Sequence, residues 1–389
     1  MRTRCVGLWC GAFVLAMLAL WIGLRPHAPP HGEAASPLEL AETTQAPPAF
    51  ARALAPRKFS FPRDHGPHPD YQTEWWYYTG NLETSEGALL GYQLTFFRRG
   101  LNPQAAARVP RLAANEVYFA HFAISDIAGG RHPFFERFSR SALGLAGASG
   151  DPFRVWLEDW EARSLDHAGG QLRLVAREGG WSLDLRLEAL KPVVAHGLGG
   201  LSPKSEAPGN ASYYLSRTRL RTVGEVTLDG EPLSVSGESW FDHEWSTSAL
   251  GPQAVGWDWF SLQLADERDL MLFQIRNADG SLDPVSGGTL IEADGRARAL
   301  RRDPIELKVE TWWRSPSTGA RYPARWRVAI PGELIQLTVE PLLADQEMRV
   351  SFPYWEGAVR VSGTSRGRPI QGQGYLEMTG YERSMQGVF

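Results

Sequence analysis

Cysteine is almost absent: the 389 residues hold two, Cys5 and Cys10, both inside the first apolar run. The rest of the chain therefore has neither disulfides nor thiol chemistry. Lys/Arg blocks are missing too, and at a net charge of −4 the electrostatic footprint of a nucleic-acid binder is lacking, so no nucleic-acid partner is expected. Helical periodicity is scarce, apart from turns expected near 102–115. Complete metal and nucleophile motifs are also wanting. His243-Glu244 opens like H-E-x-x-H, but position 247 is Thr. Asp64-His65-Gly66-Pro67-His68-Pro69-Asp70 has ligand residue types on a stiff loop, with no second cluster to complete a site. Gly363-Thr364-Ser365-Arg366-Gly367 spells G-x-S-x-G, but the following Arg368-Pro369 cannot continue smoothly into the helix that a nucleophile elbow needs. No metal and no cofactor are expected.

At the start of the chain, Arg2 and Arg4 precede an apolar run, Cys5 to Leu24, that Arg25-Pro26-His27 ends. A positive stretch before an apolar one reads as an export segment over residues 1–25. The run is close to the roughly 20 residues that span a bilayer, and no clean A-x-A site follows. A cleaved signal peptide and an uncleaved inner-membrane anchor are thus equal readings, and both predict a periplasmic or cell-envelope body. Residues 26–58, with Pro29-Pro30 and Pro47-Pro48, read as a Pro/Ala-rich linker.

From Phe59 onward, short alternating segments are separated by turn signals such as Asp229-Gly230, Asp279-Gly280 and Asp294-Gly295. Residues 181–188 alternate with period two, as antiparallel strands with one wet face do. An internal echo pairs Trp75-Trp76-Tyr77-Tyr78 and Gly91-Tyr92-Gln93-Leu94 with Trp257-Asp258-Trp259-Phe260 and Leu272-Phe273-Gln274-Ile275; Val235-Ser236-Gly237 recurs as Val361-Ser362-Gly363. The prediction is an all-β chain with two related antiparallel barrel or sandwich domains in tandem, 59–246 and 247–389.

Aromatics are plentiful and clustered: 15 Trp, 11 Tyr and 17 Phe. Strand alternation sets Trp75 and Tyr77 on one face and Trp76 and Tyr78 on the other, so either face can line a cavity or pack a core. A barrel of about eight strands has an interior just wide enough for side chains or one small ligand. We expect a hydrophobic small molecule or lipid, held by Glu74, Trp75, Trp76, Tyr78, Tyr92, Trp240, Trp257 and Trp259. Polar candidates gather at Asp242, His243, Glu244, Trp245 and Asp258, where burial among rings would raise a carboxyl pKa and make it a proton donor. The bland alternatives are a strand-end hydrogen-bond cluster at 242–244 and a Glu74 ion-paired to Arg98 or Arg217.

DHGPHPDYQTEWWYYTGNL from Asp64, YYLSRTR from Tyr213, SWFDHEW from Ser239, GWDWFSLQL from Gly256 and GYLEMTGY from Gly374 together resemble the AttH/carotenoid 1,2-hydratase family over about 59–389. The resemblance implies two lipocalin-like domains, often described as a secreted hydrolase, with an ABC-type export permease as a partner. It also implies, in the characterised branch, cofactor-independent hydration of acyclic carotenoids. The hydratases' His-x-Trp falls on His243 and Trp245, with Asp242 or Asp258 as the acid. The resulting expectation is an envelope protein that binds a hydrophobic ligand, with a hydratase-type lyase or related hydrolase as the alternative.

Overall fold

A computed structural model describes residues 50–103, 115–247 and 250–388. The export segment, nearly all of the linker and most of the 102–115 stretch lie outside the described residues. Among the described residues no helix is long and apolar enough to cross a membrane, and helical structure is confined to three 3₁₀ turns.

The chain is all-β, with two antiparallel sheets that curl into a nearly closed barrel and a half-barrel. The 13-stranded first sheet runs from the edge strand Phe134–Arg140 through Glu116–Asp126, Leu89–Gly100, Thr73–Thr84, Glu231–Ser246, Ala211–Leu228 and Trp181–Ala189 to Ala146–Gly150. The 10-stranded second sheet runs from Ala297–Arg301 through Asp269–Asn277, Ala254–Leu264, Arg368–Met378 and Tyr354–Ser365 to Glu306–Arg314.

The internal echo has a structural basis. In each sheet the first hairpin, Thr73–Thr84 with Leu89–Gly100 or Ala254–Leu264 with Asp269–Asn277, pairs with the last, Ala211–Leu228 with Glu231–Ser246 or Tyr354–Ser365 with Arg368–Met378. The Val-Ser-Gly echo is offset by one strand, however. Gly363 is the counterpart of Gly224: a Cβ on either would strike the neighbouring strand, at Gln336 O or Asp184 O. Gly237 corresponds to Gly372, where a Cβ would meet Asn81 O or Gln263 O.

Inward faces of both sheets are filled. Trp76, Tyr78, Tyr92, Leu94, Phe96 and Trp160 belong to the first core, and Phe260, Leu272, Trp326 and Trp355 to the second. A third cluster, with Tyr77, Tyr214, Trp240, Trp259, Met271 and Tyr375, joins the outer faces. Beside it, the fully buried Asp269 of the second sheet accepts from Arg219 at 2.8 Å and Thr218 at 2.8 Å, both of the first sheet, and from Lys191, in the bend after Trp181–Ala189, at 2.6 Å.

Candidate functional site

Side chains alternate along a strand, and here that alternation assigns each candidate residue to a cavity or to a core. The cavity lies between the sheets, on their outer faces, and measures about 140 Å³. Trp75 and Tyr77 of Thr73–Thr84, Asp242 and Glu244 of Glu231–Ser246, and Trp257 and Trp259 of Ala254–Leu264 line it. The expectation that a barrel interior holds the ligand is thereby corrected: both interiors are already packed with side chains.

Of the predicted ligand-binding residues, Trp75, Trp257 and Trp259 are in the wall. Trp76, Tyr78 and Tyr92 face the first core instead. Trp76 donates Nε1–H to His65 O at 3.1 Å, Tyr78 stacks on Phe241 with centroids 4.5 Å apart, and the Tyr92 hydroxyl meets Ser239 Oγ at 2.7 Å. Trp240 stands behind the wall and donates to Asp242 Oδ1 at 2.6 Å.

Asp242 is the most densely solvated carboxyl of the site by protein groups. Its Oδ1 also accepts from the Ser216 hydroxyl, and its Oδ2 accepts from Tyr214 at 2.6 Å, whose oxygen in turn accepts from Trp259 Nε1 at 2.9 Å. Ser216 is backed by His196 Nε2 at 2.6 Å. All these partners are neutral, and burial outweighs their hydrogen bonds, pushing the Asp242 carboxyl up to about 7. Asp242 therefore carries a proton over much of the neutral range.

Two further wall carboxyls were not foreseen. Glu356 and Glu377 are direct cross-strand partners on Tyr354–Ser365 and Arg368–Met378. Tyr77 donates to Glu356 Oε1 at 2.6 Å across the gap between sheets, and Glu356 Oε2 is buried without a hydrogen-bond partner among the described residues. Burial raises both: Glu377 is pushed up to about 8, with the Asp242 and Glu244 charges adding to burial and a Trp257 hydrogen bond opposing it, and Glu356 is raised well above the usual carboxylate range, with the Glu377 charge adding to burial. Lys204, also in the wall, is held by Glu244 Oε1 at 2.5 Å. Only strand register could have disclosed the Glu356–Glu377 pair; Tyr214 was visible in its motif but carried no signal of contact with Asp242.

The remaining candidates sit elsewhere. His243 and Trp245 face away from the cavity, so the set Asp242, His243, Trp245, Asp258 is not brought together. His243 Nε2–H donates to Glu74 Oε1 at 2.8 Å, and Trp245 stacks on His68 at 3.7 Å. Glu74, fully buried, also meets His68 Nδ1 at 2.8 Å and Arg98 Nε at 3.0 Å; Arg217 turns instead to His65. His68 Nε2 reaches Asp64 Oδ1 at 3.2 Å. Two flanking carboxylates outweigh burial and raise the His68 pKa, while His68 and Arg98 hold Glu74 well below the usual carboxylate range.

Ligand atoms of His68, Glu74 and His243 lie within 4.8 Å of one another. The residue types suit zinc. However, both His68 nitrogens point at carboxylates as donors, and Arg98 occupies the other Glu74 oxygen, so protons already stand where a metal would need lone pairs. Asp258, fully buried in the second sheet, accepts from Gln274 at 2.8 Å and Tyr381 at 2.9 Å and pairs with Arg276 at 3.2 Å. Burial raises its pKa against that pairing.

A family model described as AttH-like matches residues 52–381. Among solved structures, an AttH protein from Nitrosomonas europaea is 35% identical and superposes with a TM-score of 0.76, covering 85% of this chain and 99% of that one. Kievitone hydratase from Nectria haematococca is 16% identical with a TM-score of 0.65, covering 87% and 98% respectively. CghA is 13% identical with a TM-score of 0.51, over 80% and 89%. At those two identities the likeness is one of fold. No match was found among curated proteins.

Proposed function

The chain belongs to the AttH-like family, and on that premise we propose that it is an envelope protein whose inter-sheet cavity binds a hydrophobic small molecule or lipid. The observation that carries this reading is the wall itself: Trp75, Trp257, Trp259, Phe97, Phe273 and Phe352 surround a few placed polar groups, the usual make-up of a small-molecule site. Its volume is close to the ~150 Å³ of an engineered apolar cavity that takes benzene. An N-terminal segment that directs export and contacts the membrane, and an ABC-type permease as partner, complete the proposal. Mass spectrometry of an organic extract of the purified protein tests it. A retained apolar compound, lost in Trp259→Ala, is the expected result; an extract with none, together with failure to bind any apolar probe, overturns it.

A second reading is favoured by one observation, the neutral acid Asp242 beside aromatic faces. In this reading the protein is a hydratase-type lyase, as the name of kievitone hydratase says of that protein. Asp242 gives its proton to one carbon of a double bond, and the π electrons form the new C–H bond. The cation left on the other carbon faces Trp257 and Trp259. Water adds there and loses its proton to a wall carboxylate, from which Asp242 is recharged. Expression in a lycopene-making host tests this reading. Hydroxylated product that disappears in Asp242→Asn and persists in Asp258→Asn supports it; the reverse pattern removes Asp242 from the role.

A further inference from the structure

The inter-sheet wall has an imbalance of charge that a neutral apolar guest leaves unused. Among the described residues it carries four carboxyl groups, Asp242, Glu244, Glu356 and Glu377, and one cation, Lys204, which Glu244 already holds. Asp242 is bonded to neutral donors alone. Glu356 and Glu377 stand side by side on adjacent strands, where Cβ atoms are about 4.5–5.5 Å apart. Two ionised carboxylates at that spacing repel strongly in a buried site, so the pair keeps a proton. Glu356 Oε2, buried and without a hydrogen-bond partner among the described residues, is where that proton can sit and where, once it leaves, a positive charge can take its place.

The aromatic groups match that demand. Indole and phenol faces attract cations through their quadrupoles, and rings around a carboxylate form the usual cage for quaternary ammonium groups. Register places the parts in order. Tyr77 is level with Asp242 and reaches Glu356, and this level is buried. Two residues along the strand, Trp75 is level with Glu244 and Phe97 and is partly exposed. There the wall continues into an apolar cluster with Phe352, Met385, Leu250 and Trp257.

Resting on the reading that the cavity binds a hydrophobic molecule, we propose that its ligand is a hydrophobic cation, an ammonium head among Asp242, Glu356 and Glu377 with its apolar part toward Phe97, Phe352 and Met385. The bound head takes the place of protons on the carboxyl groups, so binding releases protons to the buffer. No bond is made or broken beyond those O–H bonds. A neutral molecule of the same shape would fill the same space but leave the protonation of the carboxyl groups unchanged.

The probes are benzyltrimethylammonium and its uncharged isostere neopentylbenzene, titrated into the full chain by calorimetry and by tryptophan quenching at pH 8 and pH 5.5. The expected result is an ammonium affinity at least about tenfold above that of the isostere at pH 8, with most of the preference gone at pH 5.5. Binding enthalpy at pH 8 should vary with the ionisation enthalpy of the buffer, as proton release requires. Glu377→Gln should lower the ratio of the two affinities; Glu356→Gln serves the same purpose if the first variant does not fold. Equal affinities at pH 8 overturn the cation proposal while the hydrophobic-ligand reading stands. If neither probe nor any other apolar compound binds, both fall.

Discussion

Tyr214 donates its hydroxyl hydrogen to Asp242 Oδ2 at 2.6 Å while accepting Trp259 Nε1–H at 2.9 Å, so one phenol ties a first-sheet acid to a second-sheet indole. The acid titrates from about 7 in the folded chain against an ordinary 3.8. Folded protein then binds more protons than unfolded protein between those values. Stability from this group is complete below about 4 and falls as pH rises to about 7, by roughly 4 kcal/mol at most. Asp242→Asn removes that slope. Urea denaturation at pH 5 and pH 8 should show a smaller difference in the variant than in the native chain.

Neighbouring tryptophans should respond oppositely. Trp76→Ala empties part of a packed core and should cost about 3–5 kcal/mol. Trp75→Ala removes a partly exposed wall ring, should cost far less, and should weaken binding of an apolar fluorescent probe several-fold. Equal losses of stability would contradict the assignment of faces.

The Glu74 network is strong only when complete. Arg98→Met leaves a buried carboxylate short of its cation and should destabilise by about 3–5 kcal/mol. Adding Glu74→Gln should restore part of the loss, because the uncompensated charge goes with it. A double-mutant cycle in denaturant measures this, and simple additivity would mean that the two residues are not coupled.

Zinc offers an independent check of the same cluster. With His68 protonated between Asp64 and Glu74, Zn²⁺ at neutral pH should leave the melting temperature unchanged, and a chelator should do likewise. A rise of several degrees on adding stoichiometric zinc would show that the metal displaces those protons.

The strands and their alternation were legible because they are local. Period two correctly separated Trp75 from Trp76. It could not say which face met a core, because both faces of 75–78 are aromatic and apolarity discriminates only when one side is wet. Grouping His243 and Trp245 with Asp242 took adjacency in sequence for adjacency in space. Glu356 and Glu377 were illegible for a related reason: their partnership comes from the register of a hairpin, and nothing at either position marks it. The Val-Ser-Gly echo was misaligned by one strand because several strands need a glycine at a close crossing, so three-residue matches are not unique.

Placing the cavity outside both sheet interiors separates two demands on the sequence. Each wall strand fills a barrel interior with one face and lines the cavity with the other, so Trp259 can change without emptying a barrel and Phe260 without removing a wall residue. Such a scaffold can be retuned to a new ligand by substitutions that leave both barrel cores untouched, and its specificity can drift faster than its architecture.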